Sequence, residues 1–241
     1  MLDFIDTHIH LQDFKADCAL RVLEHKSVKK MVLVSAVKDD FISISALLQK
    51  YPEKLIGAFG IHPWYAKEKF DIEQLQEMLK QYPNALVGEI GVDELKEPVS
   101  PEQHFLFSMQ LKLAQDYNRL VIVHAAKAFN ALQEHEAELK KVKYVHHGFV
   151  KNKELLKFIC KTGGYIGLGT LFLKQDKAYE MWQMMPKDKI LFETDAPYRI
   201  KEEEYTETVQ NNLRQLAHLV EEDETELAHQ LMHNAEVFLK I

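Results

Sequence analysis

Short apolar, β-branched runs alternate with amphipathic stretches along the whole chain. Residues 4–10, 31–36, 55–61, 85–90, 120–124, 143–147, 164–168 and 189–194 read as strands. The run Met31, Val32, Leu33, Val34 is nearly continuous in apolar residues, as expected of a strand buried on both faces. Between these runs, residues 17–29, 41–50, 72–82, 100–117, 126–140, 152–161 and 174–185 carry helical spacing, and 206–220 and 225–239 form a helical tail. The fifth-listed of these strands is preceded by a well-signalled helix start. Ser100 can cap it, Pro101 suits the first helical position and Gln103 can complete a capping box.

Eight strand-like runs alternating with helices in a chain of 241 residues point to a parallel α/β architecture, because right-handed crossovers keep successive strands parallel. A (β/α)8 TIM barrel with C-terminal helices is the expected fold. An open doubly wound sheet would call for a glycine-rich phosphate turn after the first strand, and that place holds Asp6, Thr7, His8, Ile9 and His10. With no Pro/Gly/Ser-rich linker, residues 1–241 are expected to form a single domain.

Composition narrows the class. Apolar residues make up 46% of the chain, and the formal net charge of −7 argues against a protein that coats nucleic acid non-specifically. It does not exclude an enzyme acting on a phosphodiester, since bound cations would reverse the local field. The two cysteines, Cys18 and Cys160, lie in helical stretches without a CxxC pattern and are expected to be reduced core residues of a cytoplasmic protein. Neither a secretory leader nor a membrane span is expected, and nothing calls for an obligate protein partner.

The chemistry collects at strand ends. Of twelve histidines, six (His25, His104, His135, His218, His229 and His233) fall in helices and are expected to be exposed or half-buried. The other six, His8, His10, His62, His124, His146 and His147, all fall at or near the C-terminal ends of strands, where parallel barrels keep their active sites. Glu89 and Asp195 end strands too. Alternation puts His8 and His10 on one face, with Asp6 beside them, as a clamp for a divalent metal. Glu89 and His124 sit in apolar surroundings that make an unpaired polar group costly. Of His146 and His147, adjacent residues on opposite faces, one is expected to reach the site. His62, fixed by Pro63, is read as a ligand, a substrate contact or a strand-end residue bonded to backbone, and Glu193 as equally suited to a buried ion pair or to the site. This set exceeds what one zinc needs, which suggests two metals bridged by a carboxylate and a hydrolytic role.

Asp6-Thr7-His8-Ile9-His10-Leu11, Gly60-Ile61-His62-Pro63, Val87-Gly88-Glu89-Ile90-Gly91-Val92-Asp93, Val123-His124, His147-Gly148-Phe149 and Leu191-Phe192-Glu193-Thr194-Asp195-Ala196-Pro197-Tyr198 together resemble the TatD-type metal-dependent hydrolases of the amidohydrolase-like superfamily. The resemblance implies a hydrolase with two divalent ions (Zn2+, Mg2+ or Mn2+). His8 and His10 would hold one ion with Asp195, and Glu89 would bridge to a second held by His124 and His147. The His-x-Phe pattern selects His147 over His146. Asp195 would accept the proton of the attacking water, with Glu89 as its catalytic companion, and His62 would contact substrate. The implied activity is 3′→5′ phosphodiester hydrolysis in DNA. The chain departs from the family where nuclease members usually carry Ser-Arg after the fifth-strand histidine, having Ala125-Ala126-Lys127 instead, and it lacks their Arg-Asn-Glu-Pro loop. Lys127 and Arg199, or Lys201, are the candidates to replace the missing cations at a phosphate. The alternatives are a hydrolase of a small ester, lactone or amide on the same barrel, and a non-catalytic metal-binding scaffold.

Overall fold

The protein is described from a computed structural model covering residues 1–68, 72–150 and 152–241. Its strands and helices follow in order as β1 (Phe4–Ile9), α1 (Ala16–Glu24), β2 (Val28–Val34), α2 (Asp40–Lys50), β3 (Leu55–Phe59), α3 (Ile72–Gln81), β4 (Leu86–Asp93) and α4 (Pro101–Asp116). Then come β5 (Val121–Ala126), α5 (Phe129–Glu134), α6 (Glu136–Leu139), β6 (Tyr144–His146), α7 (Lys153–Thr162), β7 (Tyr165–Leu168), α8 (Thr170–Leu173), α9 (Ala178–Met184), β8 (Ile190–Phe192), α10 (Tyr205–Val220) and α11 (Glu224–Leu239).

The eight strands form one sheet in sequence order, each parallel to the next. The sheet curls until its edges meet. Just beyond β8, Asp195 N–H donates to His8 O at 2.9 Å, His10 N–H donates to Ala196 O at 2.8 Å, and Ile9 bridges Ala196 in parallel register. This is the expected TIM barrel.

Two apolar layers hold it. Inside, Ile5, Val32, Val34, Ala58, Leu86, Ile122, Val145 and Leu191 from seven different strands pack together, and Ala235, Phe238 and Leu239 of α11 join them. The last helix therefore plugs the barrel at the N-terminal ends of the strands. Outside, residues such as Met31, Leu33, Phe59, Val87, Val123 and Ile166 face the surrounding helices. Each helix presents an apolar stripe to that layer, as α1 does with Cys18, Ala19, Val22 and Leu23.

Several boundaries differ from the sequence reading. The helix expected over 17–29 stops at Glu24, because Val28 already pairs with Phe4 of β1. The helix expected over 126–140 is split at His135, and Ala126 remains in β5. His135 is buried, not surface-exposed: it bonds His104 at 2.9 Å and Glu138 at 2.7 Å. Cys18 is buried as expected, whereas Cys160 lies exposed on α7; both are free thiols. Ser100 caps α4 by accepting from Gln103 N–H, but the Gln103 side chain does not close a capping box. It instead holds Asp93 through both backbone groups, accepting from its N–H at 2.9 Å and donating to its carbonyl at 3.2 Å.

Candidate metal centre

Strict alternation would defeat the site. Ile5 and Leu86 point into the barrel, so an unbroken period of two would send His8, His10 and Glu89 outward to the helices. Two irregularities reverse this. The β1–β2 register shifts between Asp6 and Ile9, and the β4–β5 register shifts between Val87 and Ile90. Such bulges re-aim the residues that follow them. Ile9 and Ile90 then join the outer layer while His8, His10 and Glu89 face the mouth. His124, His147 and Asp195 need no such device, being in phase with Ile122, Val145 and Leu191.

Asp6 is consequently not beside the two histidines, as simple alternation suggests. Its Oδ2 accepts from Thr194 Oγ1 at 2.6 Å and from Tyr205 OH at 2.7 Å, and its Oδ1 from the backbone N–H groups of His8 and Thr194 at 3.1 Å. Burial pushes its carboxyl up to about 6 despite these bonds. Asp6 thus ties β1 to the end of β8 behind the site.

All six residues expected to bind metal converge at the mouth. Glu89 is central. Its Oε2 lies 3.5 Å from His8 Nε2, 3.5 Å from His124 Nδ1 and 2.5 Å from His147 Nε2. Beside it, His8 and His10 bring their Nε2 atoms to 3.3 Å from each other, and Asp195 Oδ1 stands 3.8 and 3.6 Å from them. His8, shared by both groups, stacks on His147 with ring centres 4.1 Å apart. Two ligand sets result, His8–Glu89–His147 and His8–His10–Asp195.

The electrostatics of the cluster ask for positive charge. Burial alone would raise the Glu89 carboxyl, but His147, His124 and His62 outweigh it and hold it well below the usual carboxylate range. Asp195 is also lowered, burial being outweighed by His10, His8 and His147. In turn, against burial, Asp93 and Glu89 raise His124 to about 9. His8 alone is driven well below the usual range, first by burial and then by His147. Anionic oxygens facing imidazole nitrogens at these separations suit divalent ions with N and O ligands.

Around this set lies a shell the sequence reading did not assign. Asp93 Oδ2 meets His124 Nε2 at 2.7 Å, which leaves Nδ1 for the site. Glu193, buried behind His147, accepts from Gly148 N–H at 2.5 Å and lies 3.9 Å from His147 Nδ1. Gly167 makes room for it, since a Cβ there would fall 2.1 Å from Glu193 Oε2. Burial pushes the Glu193 carboxyl up to about 7. Asp93 could have been suspected from its spacing of four after Glu89 in one buried strand; Glu193 was visible only as one of two readings.

His62 stands at the rim with Nε2 3.7 Å from Glu89 Oε1. Its Nδ1 accepts the Trp64 backbone N–H at 3.1 Å, which fixes the neutral ring with its proton on Nε2. Burial keeps it neutral, lowering it to about 3. His146 belongs to neither ligand set, although it lines the cleft beside His147. It is buried, neither ring nitrogen has a partner, and burial lowers it to about 3. Lys127 and Arg199 both line a cleft of about 410 Å³ that opens onto His124, His147 and Asp195. Lys127 sits in left-handed backbone at φ 55°, and Arg199 Nε lies 3.3 Å from Asp195 Oδ2. Lys201 does not line this cleft; it is exposed and paired with Glu204 at 3.4 Å.

A sequence-family model described as TatD related DNase matches residues 5–240. The chain belongs to that family. The metal-dependent hydrolase YjjV of Escherichia coli K12, itself named as uncharacterised, is 28% identical over 207 residues, 80% of this chain and 79% of that protein. Its crystal structure superposes with a TM-score of 0.83, covering 99% of this chain and 98% of its own. A TatD-family hydrolase structure from Entamoeba histolytica gives 0.84 at 19% identity, covering 98% of both chains, and supports the fold. The human 3′-5′ RNA nuclease TATDN2 is 29% identical over 218 residues, 81% of this chain but 28% of that protein. As a TatD-family member, the protein is a metal-dependent hydrolase, and the buried His/Glu/Asp groups at the mouth suit its metal requirement. Among the described residues, no helix is long and apolar enough to cross a membrane.

Proposed function

We propose that the protein hydrolyses phosphodiester bonds at the 3′ ends of DNA, using two divalent ions (Zn2+, Mg2+ or Mn2+). The observation that carries this reading is one carboxylate, Glu89, whose Oε2 lies within 3.5 Å of ring nitrogens of His8, His124 and His147, beside the His8–His10–Asp195 group. His8, His10 and Asp195 would hold one ion, His124 and His147 the other, with Glu89 between them. When bound, such ions acidify water and neutralise charge on phosphate oxygens.

The chain's own groups do the rest. Asp195, held unprotonated by its histidine neighbours, accepts the proton of the attacking water. The water oxygen bonds to phosphorus, the P–O3′ bond breaks, and the proton on Asp195 passes to the departing 3′-oxygen. His62, with its proton on Nε2, donates to a phosphate oxygen. Lys127 and Arg199 supply positive charge along the cleft. The free thiols Cys18 and Cys160 fit a reducing, cytosolic setting.

One observation favours a second reading. The cleft also presents Leu95, Ala125, Val150, Leu155 and Leu171, an apolar lining suited to a small ester, lactone or amide. The two are separated by supplying the metal-loaded protein with labelled single-stranded DNA and with a panel of p-nitrophenyl esters and lactones. Release of mononucleotides from 3′ ends is expected. Cleavage of an ester or lactone with DNA left intact under all three metals would overturn the phosphodiester reading.

A further inference from the structure

One aromatic side chain at the mouth is too exposed for its size and too well fixed for a loop residue. Of the two tryptophans, Trp182 is buried at 2% exposure, while Trp64 is 45% exposed. Trp64 belongs to the short turn Pro63–Tyr65 that follows β3. Two contacts fix it. Its backbone N–H bonds His62 Nδ1 at 3.1 Å, and its ring meets the His62 ring edge to face at 4.9 Å. Holding an indole this firmly while leaving nearly half of it in water costs apolar exposure with no packing return, unless something covers it.

What sits on the ring now is a cation. Lys96 Nζ lies 3.4 Å from the ring centre. Its neighbour Glu97 is paired instead with Lys67 at 2.8 Å. An exposed cation–π contact is weak and readily exchanged, whereas a nucleobase stacked on an indole gains more, because it covers the whole face. The distance to the chemistry also fits. His62 separates the indole from Glu89, being 4.9 Å from one by ring centres and 3.7 Å from the other by Nε2 to Oε1. The indole is thus one side chain removed from the carboxylate at the centre of the site.

We propose that the exposed face of Trp64 is a stacking platform for the nucleobase of the nucleotide being cleaved, with Lys96 as a placeholder that the base displaces. This rests on the nucleic-acid reading above and assigns the base-binding residue within it. Stacking is indifferent to base identity, so the platform would fix register at the strand end without sequence preference.

The test uses the metal-loaded protein and does not depend on turnover alone. Thymidine 5′-monophosphate titrated into wild type should quench tryptophan emission saturably, and Trp64→Phe, leaving only the buried Trp182, should show no quench. With thymidine 5′-(p-nitrophenyl phosphate), Trp64→Ala should raise KM about tenfold and Trp64→Phe should restore it nearly to wild type. With methyl p-nitrophenyl phosphate, which has no base, neither variant should move KM. Absence of quenching in wild type, or an equal change on both substrates, would overturn the platform, the latter assigning Trp64 a structural role through His62. If wild type cleaves neither phosphodiester, the nuclease reading fails, and the quenching result still decides whether Trp64 binds a base.

Discussion

The two ends of this barrel are built from the same eight strands, yet they have opposite chemistry. At the N-terminal end, Ile5, Val32, Leu86, Ile122, Val145 and Leu191 meet Phe238 and Leu239 of α11 in an apolar layer, with Asn234 of the same helix donating to the Lys187 and Ile190 carbonyls beside it. At the C-terminal end the same strands deliver His8, Glu89, His124, His147 and, just past β8, Asp195. One end gains free energy from removing apolar surface from water. The other end crowds polar groups into a space where their mutual hydrogen bonds are incomplete, with His8 Nδ1, His10 Nδ1 and His147 Nδ1 left without partners. A barrel can carry that strain because stability is supplied at the closed end, so function and folding can be perturbed separately.

The largest expected effect breaks the mouth alone. His8→Ala removes the residue shared by both ligand sets and should lower kcat/KM on the order of a thousandfold or more. Bound metal, measured by elemental analysis, should fall with it, while circular dichroism stays native. Loss of the folded spectrum would make His8 a structural residue instead.

The complementary change breaks the base. Phe238→Ala opens a cavity under the barrel and should cost about 3–5 kcal/mol of stability in urea unfolding. Activity per folded molecule should stay near wild type. A drop in activity matching His8→Ala would show that the two ends are coupled and would dissolve the contrast.

A smaller effect probes the shell behind the metals. Asp93→Ala frees His124 Nε2 and should weaken metal affinity or turnover by about 10- to 100-fold, read by competition with a chromophoric chelator. The mildest effect concerns the wall between the ends. Burial pushes the Tyr144 hydroxyl, bonded to Thr162 Oγ1 at 2.5 Å, up to about 12 from an ordinary value of 10. A group raised on folding contributes stability in full below its unfolded value and loses it as pH rises through the folded one. Stability should therefore fall between about pH 10 and 12. Tyr144→Phe should flatten that fall in thermal unfolding curves while losing about 1 kcal/mol at neutral pH.

Much of the fold was legible because most strands are built on short apolar runs and most helices carry an apolar stripe. The errors lie where one element hands over to another. Val28 and Lys29 continue a helical pattern, but pairing with β1 claims them for β2. Ala126 reads as the start of a helix, but β4 holds it as strand through Asp93. The ligand set was legible for a different reason, since a histidine or carboxylate at the end of an apolar run has few structural uses. Its supports were not. The roles of Gln103 at Asp93 and of Tyr205 at Asp6 join residues 10 and 199 positions apart, and neither pair carries a local signal.

The sequence by itself determined that eight parallel strands would close into a barrel and that His8, His10, His124, His147 and Asp195 would lie towards one end of it with Glu89, although Glu89 sits within β4 rather than ending it. Periodicity and the cost of burying polar groups are local and leave their mark in the order of residues. Only the tertiary structure decided which way those side chains point. The register shifts in β1 and β4 turn His8, His10 and Glu89 inward, against the parity set by Ile5 and Leu86, while Asp6, ahead of the shift, keeps that parity and faces out to Tyr205. A bulge is fixed by the hydrogen bonds a strand makes with its neighbour, so it is a property of the pair that no single strand's sequence records.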